Sequence, residues 1–380
     1  MLDAGTIVAD KYRLERVLGR GGMGTVIAAR HVQLGTSFAL KFLHRSILEN
    51  ETVPERFLRE ARATATLQSE HVCRVFDVGS FEGAPYLVME LLEGTDLERV
   101  LRREGRLSPR VACSYLIQAC AGVADAHAAQ IVHRDLKPGN LFLLTRPDGT
   151  ALVKVLDFGI AKAPPEAELG LTGTDAILGS PAYMSLEQLR SSRLVDARSD
   201  IWSLGVILFE LLAGRRPFTG EGLADLALRI AMEPTPRLPG GPAELDRVIG
   251  RCLAREPAQR YQDVGALALA LAPFAGEPER RLAESLAYRA TDAIIVVTSE
   301  AERSARSAAS LTVQDAELPP DGATTMQTAG AIEHPRPARR SRSRIGLAAL
   351  AALVAGGLSL GIAATRGEAP APAPAPAVAA

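Results

Sequence analysis

The chain has 380 residues, 47% hydrophobic and 23% charged, which is ample material for a folded core. Its 43 basic and 44 acidic side chains leave a net charge of −1, which excludes bulk attraction to nucleic acid. Cys73, Cys113, Cys120 and Cys252 are scattered, with no Cys-x-x-Cys, so they read as buried thiols of a reducing compartment rather than disulfides or a zinc site. The opening Met1-Leu2-Asp3-Ala4-Gly5 is neither basic nor long and apolar, and does not read as a secretory leader.

In chain order, Tyr12–Leu18 and Thr25–Arg30 read as strands flanking a glycine loop. Ser37–Leu43 alternates, with Ala39 and Lys41 on one face and Phe38, Leu40 and Phe42 on the other. Pro54–Leu67 reads as a helix with Phe57, Leu58, Ala61 and Ala65 as its apolar stripe, and Val72–Asp77 and Tyr86–Glu90 as two more strands. From Glu93 the pattern turns helical. Ser108-Pro109 starts a long helix reaching Ala129. Further helices are expected over Ser185–Arg190, Asp196–Ala213, Leu223–Met232, Ala243–Leu253 and Val264–Ala272. There is no internal repeat.

The chemistry-bearing residues concentrate in two segments. Asp135 and Asn140 stand in His133-Arg134-Asp135-Leu136-Lys137-Pro138-Gly139-Asn140, and Asp157 in Asp157-Phe158-Gly159. Between them, Leu141–Leu144 and Ala151–Leu156 flank Pro147-Asp148-Gly149, the pattern of a β-hairpin. A hairpin returns the chain to its starting end, so Asn140 and Asp157 should finish side by side, with Asp135 just upstream. Two oxygen ligands beside a free carboxylate suit Mg²⁺ with a nucleotide phosphate, the third group orienting a hydroxyl. Upstream, Gly19-Arg20-Gly21-Gly22-Met23-Gly24-Thr25-Val26 has Gly-x-Gly-x-x-Gly-x-Val spacing, which lets backbone N–H groups approach phosphates. A strand rather than a helix follows it, which disfavours a Rossmann turn, and no Gly-Lys-Ser/Thr marks a Walker loop.

These motifs, in this order, resemble the eukaryotic-type protein kinases, particularly the bacterial serine/threonine kinases, over roughly residues 12 to 274, about two thirds of the chain. The resemblance implies an α+β bilobal fold with a β-rich lobe over 12–92 and a helical lobe over 93–274. It implies ATP and Mg²⁺ as cofactors and protein hydroxyls as acceptors. Asp135 would orient the acceptor hydroxyl and Lys137 neutralise the transferring phosphoryl, while Asn140 and Asp157 hold the metal. Lys41 would meet the nucleotide phosphates, held by Glu60. Leu18, Gly19, Gly21, Gly22, Gly24, Val26 and Ala39 would cover the nucleotide, and Met89, Glu90 and Leu91 would form the hinge beside adenine. Arg134 would pair with a phosphorylated Thr172 or Thr174 on the activation segment, Asp157 to Glu187, and Ser180 would position the substrate by bonding Asp135 and Lys137. Asp200 matches a buried aspartate that anchors the catalytic loop, His133 a structural histidine, and Glu187 the partner of Arg260. Two departures stand out: Ser180 where Thr is usual, and Leu186 where Pro is usual, which relaxes a backbone that proline would restrain.

Residues 275–344 turn polar and poorly periodic and read as a flexible linker. Ile345–Ala364 carries no charge and is long enough to cross a bilayer as one helix. Arg336, Arg339, Arg340, Arg342 and Arg344 precede it and Arg366 alone follows, which orients the kinase segment to the cytoplasm at the inner membrane. The competing reading is a soluble Ala-rich helix. Residues 365–380 are an Ala/Pro-rich tail without room for an external sensor. Gly357 and Gly361 give a Gly-x-x-x-Gly through which a homodimer could pack. Rival functions are a pseudokinase, a small-molecule phosphotransferase, and a membrane scaffold whose Thr324, Thr325 and Thr328 recruit phosphothreonine-binding partners.

Overall fold

The computed structural model of the chain describes residues 2–21, 24–44, 52–158, 181–191 and 194–289. Strands β1 (Ile7–Val8), β2 (Tyr12–Gly21), β3 (Gly24–His31), β4 (Ser37–Leu43), β5 (Val75–Phe81) and β6 (Ala84–Glu90) form one antiparallel six-stranded sheet, ordered β1-β2-β3-β4-β6-β5. The two-residue period of a strand divides its side chains between two apolar layers. Leu40 and Phe42 pack with Tyr12, Leu14, Ile27 and Val88 on one face, while Leu43 and Leu87 join a second layer under helix α1 (Thr52–Ala65). At Gly24 the strands cross so closely that a Cβ would lie 2.1 Å from the Phe42 carbonyl oxygen, so only glycine fits.

The strand expected over Val72–Asp77 starts later, at Val75. His71 and Cys73 give their backbone groups to Val155 instead (Val155 N–H to His71 C=O 2.8 Å, Cys73 N–H to Val155 C=O 2.9 Å). On α1 the buried positions are Val53, Phe57, Ala61 and Thr64, with Leu58 partly covered. Ala65 faces solvent, contrary to the expected stripe. Thr64 takes its place because its hydroxyl is satisfied by the Glu60 carbonyl at 2.9 Å.

The lower lobe is built on α2 (Leu97–Glu104), α3 (Pro109–Ala128), α4 (Leu186–Arg190), α5 (Ala197–Ala213), α6 (Leu223–Met232), α7 (Ala243–Cys252) and α8 (Val264–Leu271). Ser108 caps α3 through its side chain with proline at the first helical position, as the sequence indicated. Helix α5 is apolar on nearly every side and runs through the centre of the lobe, with Trp202, Val206, Ile207 and Phe209 fully enclosed. A small sheet, β7 (Gly94–Asp96), β8 (Leu141–Thr145) and β9 (Ala151–Val155), lies at the top of this lobe. The β8–β9 turn is the expected one: Gly149 takes φ +81° and Asp148 accepts from Thr150 N–H at 2.9 Å. All four cysteines are free and buried, and burial pushes Cys113 and Cys252 up to about 12, so they remain thiols.

The expected linker does not begin at 275. Residues 277–289 form a further helix, α9, whose Ala283 and Leu286 enter the core and whose Arg289 pairs with Asp125 at 2.7 Å. The signal was present as Leu282, Ala283 and Leu286 at helical spacing, with Arg281 pairing back to Glu277 at 3.1 Å. Among the described residues no helix is long and apolar enough to cross a membrane. The expected span, Ile345–Ala364, the remaining linker and the Ala/Pro-rich tail lie outside the described residues.

Glu187 and Arg260 form a buried bidentate pair, Nη1 to Oε1 2.6 Å and Nη2 to Oε2 2.9 Å, with the Arg260 side chain 0% exposed. Arg260 also donates to the carbonyls of Ala254, Arg198 and Arg255, and its guanidinium lies over Trp202. Removing one member strands a buried charge, whereas replacing both with apolar groups does not. Arg260→Ala is therefore expected to destabilise the chain by about 3–5 kcal/mol in urea unfolding. The double variant Glu187→Leu/Arg260→Met should recover most of that loss, and a double variant no more stable than the single one would refute this reading.

Candidate active site

The site forms where the strand lobe faces the β8–β9 hairpin. Register places Lys41 on β4 opposite Val26 on one side and Leu87 on the other, with Ala39 opposite Met89. The strand that leaves the glycine segment, β3, therefore lies directly beside the strand that carries the ammonium. Leu18, Val26, Met89 and Leu91 are partly exposed, while Ala39 is buried. Gly19 and Gly21 have nothing within 4 Å of a built Cβ, so no contact within the fold demands glycine there. Gly22 lies outside the described residues.

Below the cleft, the hairpin does what the sequence implied. Leu141 pairs with Val155, and Leu156 N–H donates to the Asn140 carbonyl at 2.8 Å, which brings Asn140 and Asp157 to the same end. Asn140 Nδ2 donates to the Asp135 carbonyl (2.7 Å) and approaches Asp135 Oδ2 (3.3 Å), so the amide nitrogen is the end turned toward Asp135. Lys137 Nζ reaches Asp135 Oδ2 at 3.0 Å. Asp157 adopts φ +50° and its Oδ1 pairs with Lys41 Nζ at 2.8 Å across the lobes. The ammonium stands beside Asp157 as a cation would, and the carboxylate stands beside Lys41 as a phosphate would.

Glu60 sits half-buried on the third turn of α1. Among the described residues, Lys41 Nζ pairs with Asp157. Thr172, Thr174 and Ser180 lie outside the described residues. In the hinge, Glu90 is spoken for by the fold: its N–H donates to the Arg74 carbonyl (3.0 Å), and its Oε1 accepts from Arg74 N–H and Lys154 Nζ (each 2.7 Å). Lys154 was not singled out from sequence. A lysine inside the apolar run Ala151–Val155 needs a partner when buried, and that was the available signal.

The catalytic loop hangs from Asp200. This carboxylate is fully enclosed and accepts from His133 N–H (2.8 Å), Arg134 N–H (2.9 Å) and His127 Nε2 (2.7 Å). Burial opposes its charge, but the His127 bond, the neighbouring imidazoles and the backbone donors prevail and hold its carboxyl below the usual range. His133 Nδ1 accepts from Asp135 N–H (3.2 Å), so Nε2 carries the proton donated to the Leu156 carbonyl (2.8 Å). His133 thus links the loop to the chain just before Asp157 and is structural, as expected. Beside the loop lies a cleft of about 460 Å³ lined by Lys137, Gly139, Tyr183, Glu98, Glu210 and Arg216. Tyr183 donates to Glu210 at 2.7 Å, and burial raises the Glu210 carboxyl above its ordinary value.

Among the described residues no group of three or more His, Cys, Asp or Glu side chains could cage a metal ion. An amide oxygen and one carboxylate fit a Mg²⁺ that is held largely by nucleotide phosphates. A strand-borne ammonium beside a glycine-rich hairpin, set against that carboxylate and amide and an anchored aspartate, belongs to a two-lobed protein kinase fold. The protein kinase domain model matches residues 12–269, and the chain belongs to the protein kinase family. It is similar to two serine/threonine-protein kinases of Myxococcus xanthus. Pkn1 is 41% identical over 264 residues, covering 68% of this chain and 38% of the relative. Pkn3 is 38% identical over 325 residues, covering 83% and 58%. The serine/threonine-protein kinase PknB of Mycobacterium tuberculosis is 37% identical over 263 residues, covering 67% and 41%. The chain thus spans between 38% and 58% of the length of these relatives.

Burial lowers the pKa of both His133 and His71, which favours their neutral forms in the folded state. The unfolded chain binds the protons that the folded chain refuses, so stability falls as pH drops through the free imidazole value near 6.5. The slope is at most about 1.4 kcal/mol per pH unit for each histidine. Scanning calorimetry should show the unfolding midpoint falling between pH 7.5 and 5.5, and a flat midpoint across that window would refute the assignment.

Proposed function

We propose that this chain is a serine/threonine protein kinase that transfers the γ-phosphoryl group of ATP to protein hydroxyls at the cytoplasmic face of a membrane. The observation that carries this reading is the convergence of Lys41, Asp135, Asn140 and Asp157 at one cleft, from elements up to 116 residues apart in sequence. A pseudokinase would be free to lose any of them.

Lys41 would exchange its pairing with Asp157 for the nucleotide phosphates, and Glu60 on α1 is the group that would then hold it. Asp157 and the Asn140 amide oxygen would hold Mg²⁺, which supplies charge neutralisation on the phosphates. Asp135 would accept a hydrogen bond from the acceptor hydroxyl and turn its oxygen in line for attack. Lys137, already bonded to Asp135, would neutralise negative charge as it develops on the transferring group. The adjoining cleft is the surface along which an acceptor peptide would lie. Arg134 belongs to the loop that would meet a phosphate on Thr172 or Thr174, and such a phosphate would order the activation segment by charge-assisted pairing. The arginine-flanked span 345–364 would tether the kinase to the membrane and could support self-association.

In full-length protein, Asp135→Asn should lower transfer from labelled ATP to a protein acceptor roughly 10²–10⁴-fold while preserving Mg·ATP affinity. Wild-type activity in that variant would sink the assignment. Deleting 345–364 should move the protein from the membrane to the soluble fraction of a bacterial lysate, and continued sedimentation with membranes after an alkaline wash would rule out this anchor.

A further inference from the structure

Gln188 occupies the first turn of α4 and is 6% exposed. Its side chain is used at both ends. Oε1 accepts from the Ser185 N–H (3.1 Å) and the Ser185 hydroxyl (3.2 Å), completing a reciprocal cap with the Gln188 N–H on Ser185 Oγ (3.4 Å). Nε2 crosses to the catalytic loop and donates to the Arg134 carbonyl at 3.0 Å.

That carbonyl sits at a demanding point of the backbone. Arg134 has φ +64°, a left-handed conformation that disfavours a residue with a Cβ. Asp200 fixes the peptide before it, through the Arg134 N–H. The peptide after it, which joins Arg134 to Asp135, is held at its N–H by His133 Nδ1 and at its oxygen by Gln188. The hold of Asp200 on the loop ends one peptide short of Asp135; His133 holds the N–H of that remaining peptide and Gln188 its oxygen. The α4 side of the contact has its own requirement. Leu186 stands at the first helical position, where proline would preset φ, so the start of α4 depends on its side-chain cap.

We propose that Gln188 is a positioning residue for phosphoryl transfer, locking the peptide that carries Asp135 to the start of α4 and so fixing the catalytic loop against the end of the activation segment. This rests on the kinase reading above. Only an amide fits the position: one end must accept from Ser185 and the other must donate to a carbonyl. A glutamate would keep the cap but turn an acceptor oxygen on the Arg134 carbonyl.

The test uses full-length protein, peptide kinetics and thermal unfolding. Gln188→Glu should lower kcat about tenfold, leave KM for Mg·ATP within about twofold, and shift the unfolding midpoint by only about 2–3 °C. Gln188→Met, which keeps the volume and removes both polar ends, should show the same fall in kcat with a larger loss of stability. Ser185→Ala breaks the cap without touching Arg134, and should lose stability but keep kcat. Wild-type kcat in Gln188→Glu, or an equal loss of kcat in Ser185→Ala, would overturn the proposal while leaving the kinase reading intact. An inactive wild type would defeat both.

Discussion

A single enclosed carboxylate sets the shape of the catalytic loop. Asp200 lies inside a helix that is apolar on almost every side, where an unpaired charge would be prohibitive. It is tolerated because three donors converge on it, two of them backbone N–H groups from a segment with no regular secondary structure. The dependence runs both ways. Without the loop the aspartate loses both backbone donors and keeps only His127, and without the aspartate Arg134 has no reason to hold a left-handed backbone. From that fixed point the chain reaches Asp135 within one residue, so the geometry of the Asp135 carboxylate is inherited from the core rather than from the loop's own preferences.

A second constraint acts on the other acidic group. The β8–β9 hairpin returns the chain to the level of Asn140, and His133 fastens the last residue before Asp157 through the Leu156 carbonyl. The loop that carries Asp135 and the segment that carries Asp157 are thereby linked by one imidazole. Across the cleft, Glu90 at the end of β6 is tied to Lys154 on β9 and to the backbone of Arg74. The two lobes are therefore joined by a largely buried ion pair behind the hinge as well as by the exchangeable Lys41–Asp157 pair within the cleft.

Much of this was legible in the sequence because the governing signals were local. The Asp-Gly turn between apolar runs gave the hairpin, and the hairpin gave the proximity of Asn140 and Asp157. Ser108-Pro109 gave the start of α3, and alternation in Ser37–Leu43 put Ala39 and Lys41 on one face. What sequence reasoning missed had either too short a local pattern or a long-range cause. Helix α2 has only Leu97 and Val100 as buried residues among eight mostly charged positions, too short a stripe for periodicity to register. The strand near Val72 was displaced because Val155, more than eighty residues away, claims the backbone of His71 and Cys73. Gln188 gave no hint of a second partner, since its capping role already accounts for glutamine at that spacing after Ser185. Helix α9 is a different case: its pattern was readable but was outweighed by the polar composition that follows.

The distribution of burial separates two kinds of residue. Asp200 and Arg260 are fully enclosed, each with several partners, so neither can change its bonds without breaking the core. The Asp157 and Lys137 side chains are 35% and 31% exposed, and pair with groups that can be exchanged for ligand atoms. A phosphoryl-transfer site needs that division. Its charges must be able to leave one another when phosphates and metal arrive, and each pair sets one partly exposed member against a more buried one, Lys41 at 13% and Asp135 at 15%. The backbone carrying them must not follow, which requires anchors whose carboxylates and guanidinium never see solvent. Gln188 sits on the boundary between the two sets, buried like an anchor yet bonded to the peptide that carries the catalytic aspartate, and this is why its loss should appear in turnover before it appears in nucleotide affinity.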